Sequence, residues 1–172
     1  EQVIRNLSGF GCRILAHDPF PKDSLQGTVH YTNLEELWRE CDILTFHTPA
    51  SRETCHMVNH DTLRQMKKGV ILINMARGSL IDTAALIEAL DQGIVSAAAL
   101  DVLEHESGIY YRDYKYAAVN HHDMAVLKTM PNVLMTPHTA FFTDEAVSDM
   151  IRCSIESCMA EVQGETDPGR IG

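Results

Sequence analysis

The segment from Val70 to Asp82, with the sequence VILINMARGSLID, restricts the fold more than any other part of the chain. Its first residues, 70–73, are four consecutive apolar β-formers that end at Asn74, which is typical of a strand buried on both faces in a parallel sheet. Parallel strands need a crossover connection, which is usually a helix. The residues that follow predict such a helix, with Asp82 as its N-cap and Gly93 just past its end. The segment therefore predicts an α/β fold.

A permanent cation stands between this strand and this helix. Arg77, followed by Gly78, is placed at the carboxyl end of the predicted strand, where open α/β sheets bind ligands. A guanidinium group binds carboxylates and phosphates bidentately, so the pattern predicts a site for a small anion. The alternative is a surface arginine that pairs with Asp82, and this stretch alone favours neither interpretation.

The same unit of strand, polar end and helix recurs along the rest of the chain. Apolar runs predict further strands over residues 12–16, 28–31, 42–46, 96–100 and 132–135. Helical spacing predicts a helix that stops at 9–11, helices over 34–41, 62–66 and 124–130, and a final helix capped by Thr143. Residues 108–120 break the repeat, and their tyrosine-rich, polar composition predicts an inserted surface loop.

The length and composition predict one well-buried domain. A chain of 172 residues, of which 45% are hydrophobic, is long enough for one core and leaves little for a second. We expect this domain to cover residues 1–163 and the polar tail, residues 164–172, to be disordered.

Charge, hydropathy and the spacing of cysteine and histidine exclude several classes of function. A net charge of -10 and the absence of a Lys/Arg cluster argue against a nucleic-acid partner, and no apolar run is long enough to span a membrane. Five cysteines without a CxxC pair predict reduced thiols and a cytoplasmic location. The nine histidines lack the spacing of a zinc site, so no metal is predicted.

Polar residues stand at or just past the carboxyl ends of five predicted strands. They are Asp18, His47-Thr48, Asn74 to Arg77, Asp101 to Glu106, and His138. Because these ends share one edge of a parallel sheet, one crevice that contains a cation, two carboxylates and a histidine is favoured over five independent surface positions. Such a crevice is equipped for acid/base chemistry on a small molecule that bears a carboxylate. Taken singly, Asp18 also reads as a turn residue before proline, and His138 as a structural histidine.

Three motifs, INMARGSLID, AALDVLEHE and TPHTAFFTDEA, resemble those of the D-isomer-specific 2-hydroxyacid dehydrogenases. With LSGFGCRILAHDP and FHTPASRET, the resemblance covers essentially the whole chain. It implies a Rossmann-like, doubly wound parallel sheet that is incomplete, because the first strand and the glycine-rich loop of the family are missing. It also implies that this chain is a C-terminal fragment of an NAD-dependent enzyme, in which residues 1–163 form a partial NAD-binding domain with a C-terminal helix.

The resemblance assigns a role to each residue of the predicted crevice. Arg77 would bind the substrate carboxylate, His138 would transfer the proton to or from the 2-hydroxyl oxygen, and Glu106 would be the hydrogen-bonded partner of His138. Phe141 would pack near the substrate. The residues on the cofactor side would be Asp18, which holds the adenosine ribose, and His47, Thr48, Pro49, Asn74, Ala76, Arg77 and Asp101.

The loop after Glu106 resembles the D-lactate branch of the family, which includes dehydrogenases that reduce pyruvate for vancomycin-resistance cell walls. Ser107 stands where glycerate- and formate-type members have proline, and the long tyrosine-bearing loop follows. We therefore expect reduction of a small 2-oxo acid, with pyruvate preferred, by an intact protein that is a homodimer, and little activity from this chain alone. The alternative is a non-catalytic NAD-sensing module, since transcriptional corepressors resemble the same family.

Overall fold

The computed structural model describes residues 1–110, 112–167 and 169. Six strands form at Leu15–Ala16 (β1), His30–Tyr31 (β2), Ile43–Phe46 (β3), Val70–Asn74 (β4), Val95–Leu100 (β5) and Val133–Met135 (β6). Six helices form at Gln2–Leu7 (α1), Leu34–Glu40 (α2), His60–Leu63 (α3), Thr83–Asp91 (α4), His122–Thr129 (α5) and Asp144–Gln163 (α6). The predicted α/β class with a parallel sheet is confirmed.

The chain folds as two compact units, of which the first ends at Met135 and the second begins at Thr136. The first unit contains all six strands, and the second contains α6. The predicted division at residue 163 stays a prediction. Of the predicted tail, residues 168 and 170–172 lie outside the described residues.

The main sheet has four parallel strands in the order β3-β4-β5-β6. The strand β4 has neighbours on both sides, and Phe46, Asn74 and Leu100 are paired in register at the carboxyl ends of three successive strands. The short strands β1 and β2 form a separate parallel pair. Within the described residues no ladder joins β1 to β3. The ends of β3, β4 and β5 form one edge of this sheet, as predicted, but β1, which leads to Asp18, belongs to the other sheet.

The first unit is built around the side chains of β4 and α4. Val70 and Leu72 are fully buried, whereas Ile71 and Ile73 on the other face of the strand are only partly buried. The expectation of complete burial on both faces is therefore correct for one face only. The helix α4 covers the core with Ala85, Leu86, Ala89 and Leu90.

The cap residues of α4 and α6 are where the sequence predicts them. The carboxylate of Asp82 accepts a hydrogen bond from the Ala85 amide at 3.1 Å, and Gly93 follows the helix with a φ of 66°. Such a left-handed conformation favours glycine. In the second unit the Thr143 hydroxyl accepts a hydrogen bond from the Ala146 amide at 3.2 Å.

The helix α6 does not bury the apolar stripe that its spacing predicts. Met150, Ile151, Ile155 and Met159 are exposed, and of its residues only Ala160 is buried. Helical periodicity identifies an apolar face but not what covers it. No helix among the described residues combines the length and hydropathy needed to cross a bilayer.

The predicted loop over residues 108–120 contains no helix or strand in its described part. Two of its residues are less exposed than a surface loop implies, since Ile109 and Tyr110 are partly buried and pack against the core. Tyr114 closes the loop by donating its hydroxyl to the Gly108 carbonyl at 2.6 Å. Tyr111 lies outside the described residues.

Candidate active site

The turn after β4 is shaped by the buried side chain of Asn74. Its amide nitrogen donates to the Arg77 carbonyl at 2.9 Å, and its amide oxygen accepts from the Ala76 amide at 3.1 Å. The backbone carbonyl of Asn74 also accepts from the Asp101 amide at 2.9 Å. Because Asn74 is only 1% exposed, its side chain serves first to hold the backbone that carries Arg77. Its predicted contact with the cofactor stays a prediction.

Arg77 projects an exposed guanidinium group from this turn. Its Nη1 donates to the Ala76 carbonyl at 2.7 Å, and no ion pair to a carboxylate is found for it in residues 1–110, 112–167 and 169. The alternative partner, Asp82, caps α4 instead. An exposed guanidinium at the end of a central strand can bind an anionic ligand bidentately.

Gly78 brings the Arg77 turn against the segment that follows β5. A Cβ atom at Gly78 would lie 2.1 Å from the carbonyl carbon and oxygen of Leu103 and 2.5 Å from the Glu104 nitrogen. Real Cβ atoms essentially never approach other atoms that closely. The position therefore requires glycine, and this close approach fixes Arg77 relative to the end of β5.

Two predicted carboxylates follow β5. Asp101 is buried, and the Glu106 carboxylate accepts from the Leu103 amide at 2.6 Å, which closes a tight loop. Burial raises the pKa of Tyr110, and the charges of Glu106 and Asp101 raise it further. The phenol and both carboxylates therefore occupy one neighbourhood at the strand end.

His56, Thr83 and Glu104 form a cluster beside this loop that sequence analysis missed. The His56 Nε2 lies 2.5 Å from a Glu104 oxygen, and the other oxygen accepts from the amide and hydroxyl of Thr83, each at 3.2 Å. The Glu104 hydrogen bond raises the pKa of His56. Burial of Glu104 opposes its ionisation, but hydrogen bonds from His56 and Thr83 outweigh burial and lower its pKa. The partners His56 and Glu104 are 48 residues apart, so no local pattern signals the pair.

The predicted cofactor residues after β3 lie next to the Arg77 turn in strand order. His47 Nε2 is 3.0 Å from the Thr45 hydroxyl, and the surrounding chain partly desolvates the imidazole, which lowers the pKa of His47. The Pro49 carbonyl accepts from the Thr54 hydroxyl at 2.8 Å. Local hydrogen bonds therefore hold His47 and Pro49, on either side of Thr48.

Asp18 follows β1, in the separate two-stranded sheet. One carboxylate oxygen accepts from the Phe20 amide at 2.8 Å, so Asp18 has the turn geometry that was the alternative interpretation. For the second oxygen, no hydrogen bond is found within the described ranges. That oxygen can accept a hydrogen bond from a ribose hydroxyl, so the position of Asp18 is compatible with a bound dinucleotide.

His138 and Phe141 belong to the second unit. Their ring centroids are 6.5 Å apart in an edge-on arrangement, and His138 has a φ of 52°, which is uncommon for a residue other than glycine. The predicted pairing of His138 with Glu106 rests on the motif match and stays a prediction. Across the described ranges, no group of three or more His, Cys, Asp or Glu side chains is arranged to hold a metal ion.

Comparison with known families identifies the chain. Residues 1–140 match the model of the D-isomer specific 2-hydroxyacid dehydrogenase, NAD binding domain. The chain belongs to this family. The match includes Arg77, Glu106 and His138, and it confirms the predicted family and the predicted cofactor, NAD.

Individual relatives agree with this assignment. An aromatic 2-oxoacid reductase of Clostridium sporogenes is 39% identical over 90% of this chain and 47% of its own length. A D-specific alpha-keto acid dehydrogenase of Enterococcus faecalis is 40% identical over 92% of this chain and 48% of its own length. The crystal structure of a D-lactate dehydrogenase from Treponema pallidum matches with a TM-score of 0.92 and 33% identity, over 98% of this chain and 51% of that one. The chain thus spans about half the length of these relatives.

Proposed function

We propose that this chain supplies the NAD-binding part of an enzyme that reduces a small 2-oxo acid, preferably pyruvate, to the D-2-hydroxy acid. One observation carries the proposal: Arg77 presents a guanidinium without an acidic partner in the described ranges, held by Asn74 and Gly78 at the end of a central strand. A planar carboxylate is the ligand that such a fork matches best. The names of the relatives, which include reductases and dehydrogenases of 2-oxo acids, support the same reaction class.

In the proposed reaction the side chains of this chain bind the substrate and supply its proton. Arg77 holds the carboxylate, which orients the neighbouring carbonyl carbon. NADH, when bound, supplies the hydride that this carbon receives. His138 gives a proton to the carbonyl oxygen, and Glu106 keeps the imidazole oriented for that transfer. Phe141 packs beside the substrate.

The predicted cofactor residues keep their proposed roles. Asp18 accepts from the ribose hydroxyls of NAD, Thr48 and Pro49 line the pyrophosphate and ribose, and Asp101 meets the nicotinamide end. The remaining cofactor residues of the proposal are His47, Asn74, Ala76 and Arg77. We also propose that this chain shows little turnover by itself, because the relatives it matches are about twice as long.

Replacing Arg77 by lysine tests the proposal. The substitution keeps the charge but removes the fork, so KM for pyruvate should rise by on the order of tenfold while kcat changes less. NADH oxidation is followed with pyruvate and with an aromatic 2-oxo acid, in the longest natural polypeptide that contains this chain and in the chain alone. Arg64→Lys is the matched control, because Arg64 is exposed and pairs with Asp61 at 3.1 Å.

Two outcomes would contradict the proposal. An unchanged KM in Arg77→Lys would mean that Arg77 does not hold the carboxylate. NADH binding without turnover of any 2-oxo acid by the longest polypeptide would favour the non-catalytic NAD-sensing module instead.

We propose a homodimer, which sedimentation of the longest polypeptide would test. A cytoplasmic location is consistent with the five free cysteines, of which Cys12, Cys55, Cys153 and Cys158 are exposed.

A further inference from the structure

We propose that Glu104 and His56 are positioning residues that hold the loop from Asp101 to Glu106 in the orientation needed for the reduction. The inference rests on the proposed function. The sequence assigned a role to neither residue, and the Glu104 carboxylate and the His56 imidazole interact with one another.

The Glu104 carboxylate ties its loop to two other segments of the first unit. One oxygen contacts His56, in the stretch between β3 and α3, and the other accepts two hydrogen bonds from Thr83 at the start of α4. His56 is itself held by its backbone, since its amide donates to the Ser79 carbonyl at 2.8 Å and its carbonyl accepts from Asn59 at 2.8 Å. Ser79 lies two residues past Arg77, so the cluster connects both strand-end turns.

The backbone of Glu104 is fixed as firmly as its side chain. Its carbonyl accepts from His121 Nε2 at 3.0 Å, and His121 Nδ1 accepts from the Met124 amide at the start of α5. The Gly78 turn approaches the Glu104 nitrogen from another side. Glu104 is therefore held by four separate segments. Glu106 lies only two residues further along the chain, so the same contacts position it.

The charges around the pair explain why both members are needed. The Glu104 side chain is 16% exposed and His56 is 42% exposed, so the carboxylate is the group that burial would penalise most without a partner. His56 is the cation that faces it, while His56 also faces the more distant carboxylate of Asp82. A neutral imidazole would weaken the pair and loosen the loop.

The pair has a defined pH window. The hydrogen bond and charge of Glu104, together with the charge of Asp82, raise the pKa of His56 above its ordinary 6.5. The stabilisation that the pair gives to the folded loop is therefore complete below pH 6.5, and it is lost as the pH rises through the raised pKa. The pKa of Glu104 is lowered from 4.5, so the contribution also requires a pH above that lowered pKa.

The experiment compares His56→Gln and Glu104→Gln with the control His60→Gln. His60 forms a similar pair with Glu88 at 2.9 Å, but both side chains are exposed and the pair joins α3 to α4. The pH dependence of kcat and KM for pyruvate is measured in the longest natural polypeptide that contains this chain. Near pH 6, each of the two test variants should lose about tenfold in kcat with KM little changed. A displaced loop alters the geometry of the proton and hydride transfers more than it alters the binding of the substrate carboxylate by Arg77.

The ratio of wild-type to His56→Gln kcat should fall toward one as pH rises through the raised pKa of His56. A ratio that is the same at every pH, or an equal loss in His60→Gln, would overturn the inference. A purely structural role would lower stability without this pH-dependent ratio.

A second measurement separates this inference from the proposed function. If the wild type shows no turnover, the proposed function fails, but amide hydrogen exchange of Leu103 and Glu106 still reports the loop in NADH-free protein. Exchange should accelerate several-fold in Glu104→Gln and not in His60→Gln. Unchanged exchange in Glu104→Gln would overturn the positioning role whatever the activity.

Discussion

Replacing Gly78 by alanine tests how the Arg77 turn is held. The added Cβ would lie 2.1 Å from two backbone atoms of Leu103, whereas ordinary contact begins at 3.4 Å. One of the two segments must therefore move by about 1.3 Å. Neither can move freely, because Asn74 holds the first and hydrogen bonds to Glu104 and Glu106 hold the second.

The expected cost follows from this rigidity. Inserting a methyl group into packed side chains typically costs 1–3 kcal/mol, and here the clash is with backbone, so we expect about 3 kcal/mol of lost unfolding free energy. For a chain of this length that corresponds to a fall in Tm of roughly 6–12 °C. Because the displaced turn carries Arg77, KM for the 2-oxo acid should rise as well.

Denaturant titration and thermal melts at one protein concentration give the measurement. Gly9→Ala is the matched control, since a Cβ there meets nothing within 4 Å and Gly9 has no positive φ. If Gly78→Ala unfolds at the same midpoint as Gly9→Ala, the two strand-end segments separate without cost. The close approach would then not be what positions Arg77.

Three further predictions follow from the site and the sheets. Asp18→Ala should lower the preference for NADH over NADPH, measured as a ratio of kcat/KM values, on the order of tenfold, because a carboxylate accepts from ribose hydroxyls and repels a 2′-phosphate. Asp23 is a nearby exposed carboxylate, and an equal loss of NADH preference in Asp23→Ala would contradict this role of Asp18. His138→Gln should reduce kcat for 2-oxo acid reduction about a hundredfold or more, whereas His122→Gln should not; activity near wild type in the first variant would remove His138 from the mechanism. The 172-residue chain alone should self-associate, because β3 is an edge strand of the described sheet and exposes 56% of Ile43; a monomer at every concentration in sedimentation velocity would refute this.

Local rules were sufficient for much of the fold. The apolar run of β4, the cap residue Asp82 and the glycine at position 93 each act through residues within one or two turns of themselves. The structure that each of them forms can therefore be predicted from the local sequence. The same holds for placing Arg77 after a central strand, since strand ends are readable from hydropathy and strand direction follows from the crossover helix.

Other features depend on which segments meet. The exposed stripe of α6 has the spacing of a buried face, and the partly buried Ile109 and Tyr110 lie in a segment whose composition predicts a surface loop. Periodicity reports the shape of one element, whereas burial depends on what lies opposite. Neither result was accessible from local sequence.

The sequence by itself determined the fold class, the family and the strand-end residues that the proposed chemistry uses, because these depend on local hydropathy, caps and contiguous motifs. Only the tertiary structure decided that the Asn74 side chain is hydrogen-bonded to the backbone of its own turn, that Gly78 must lack a side chain, and that Glu104 is paired with His56. The physical reason is the parallel register, which places the ends of β4 and β5 side by side and brings together groups far apart in the chain.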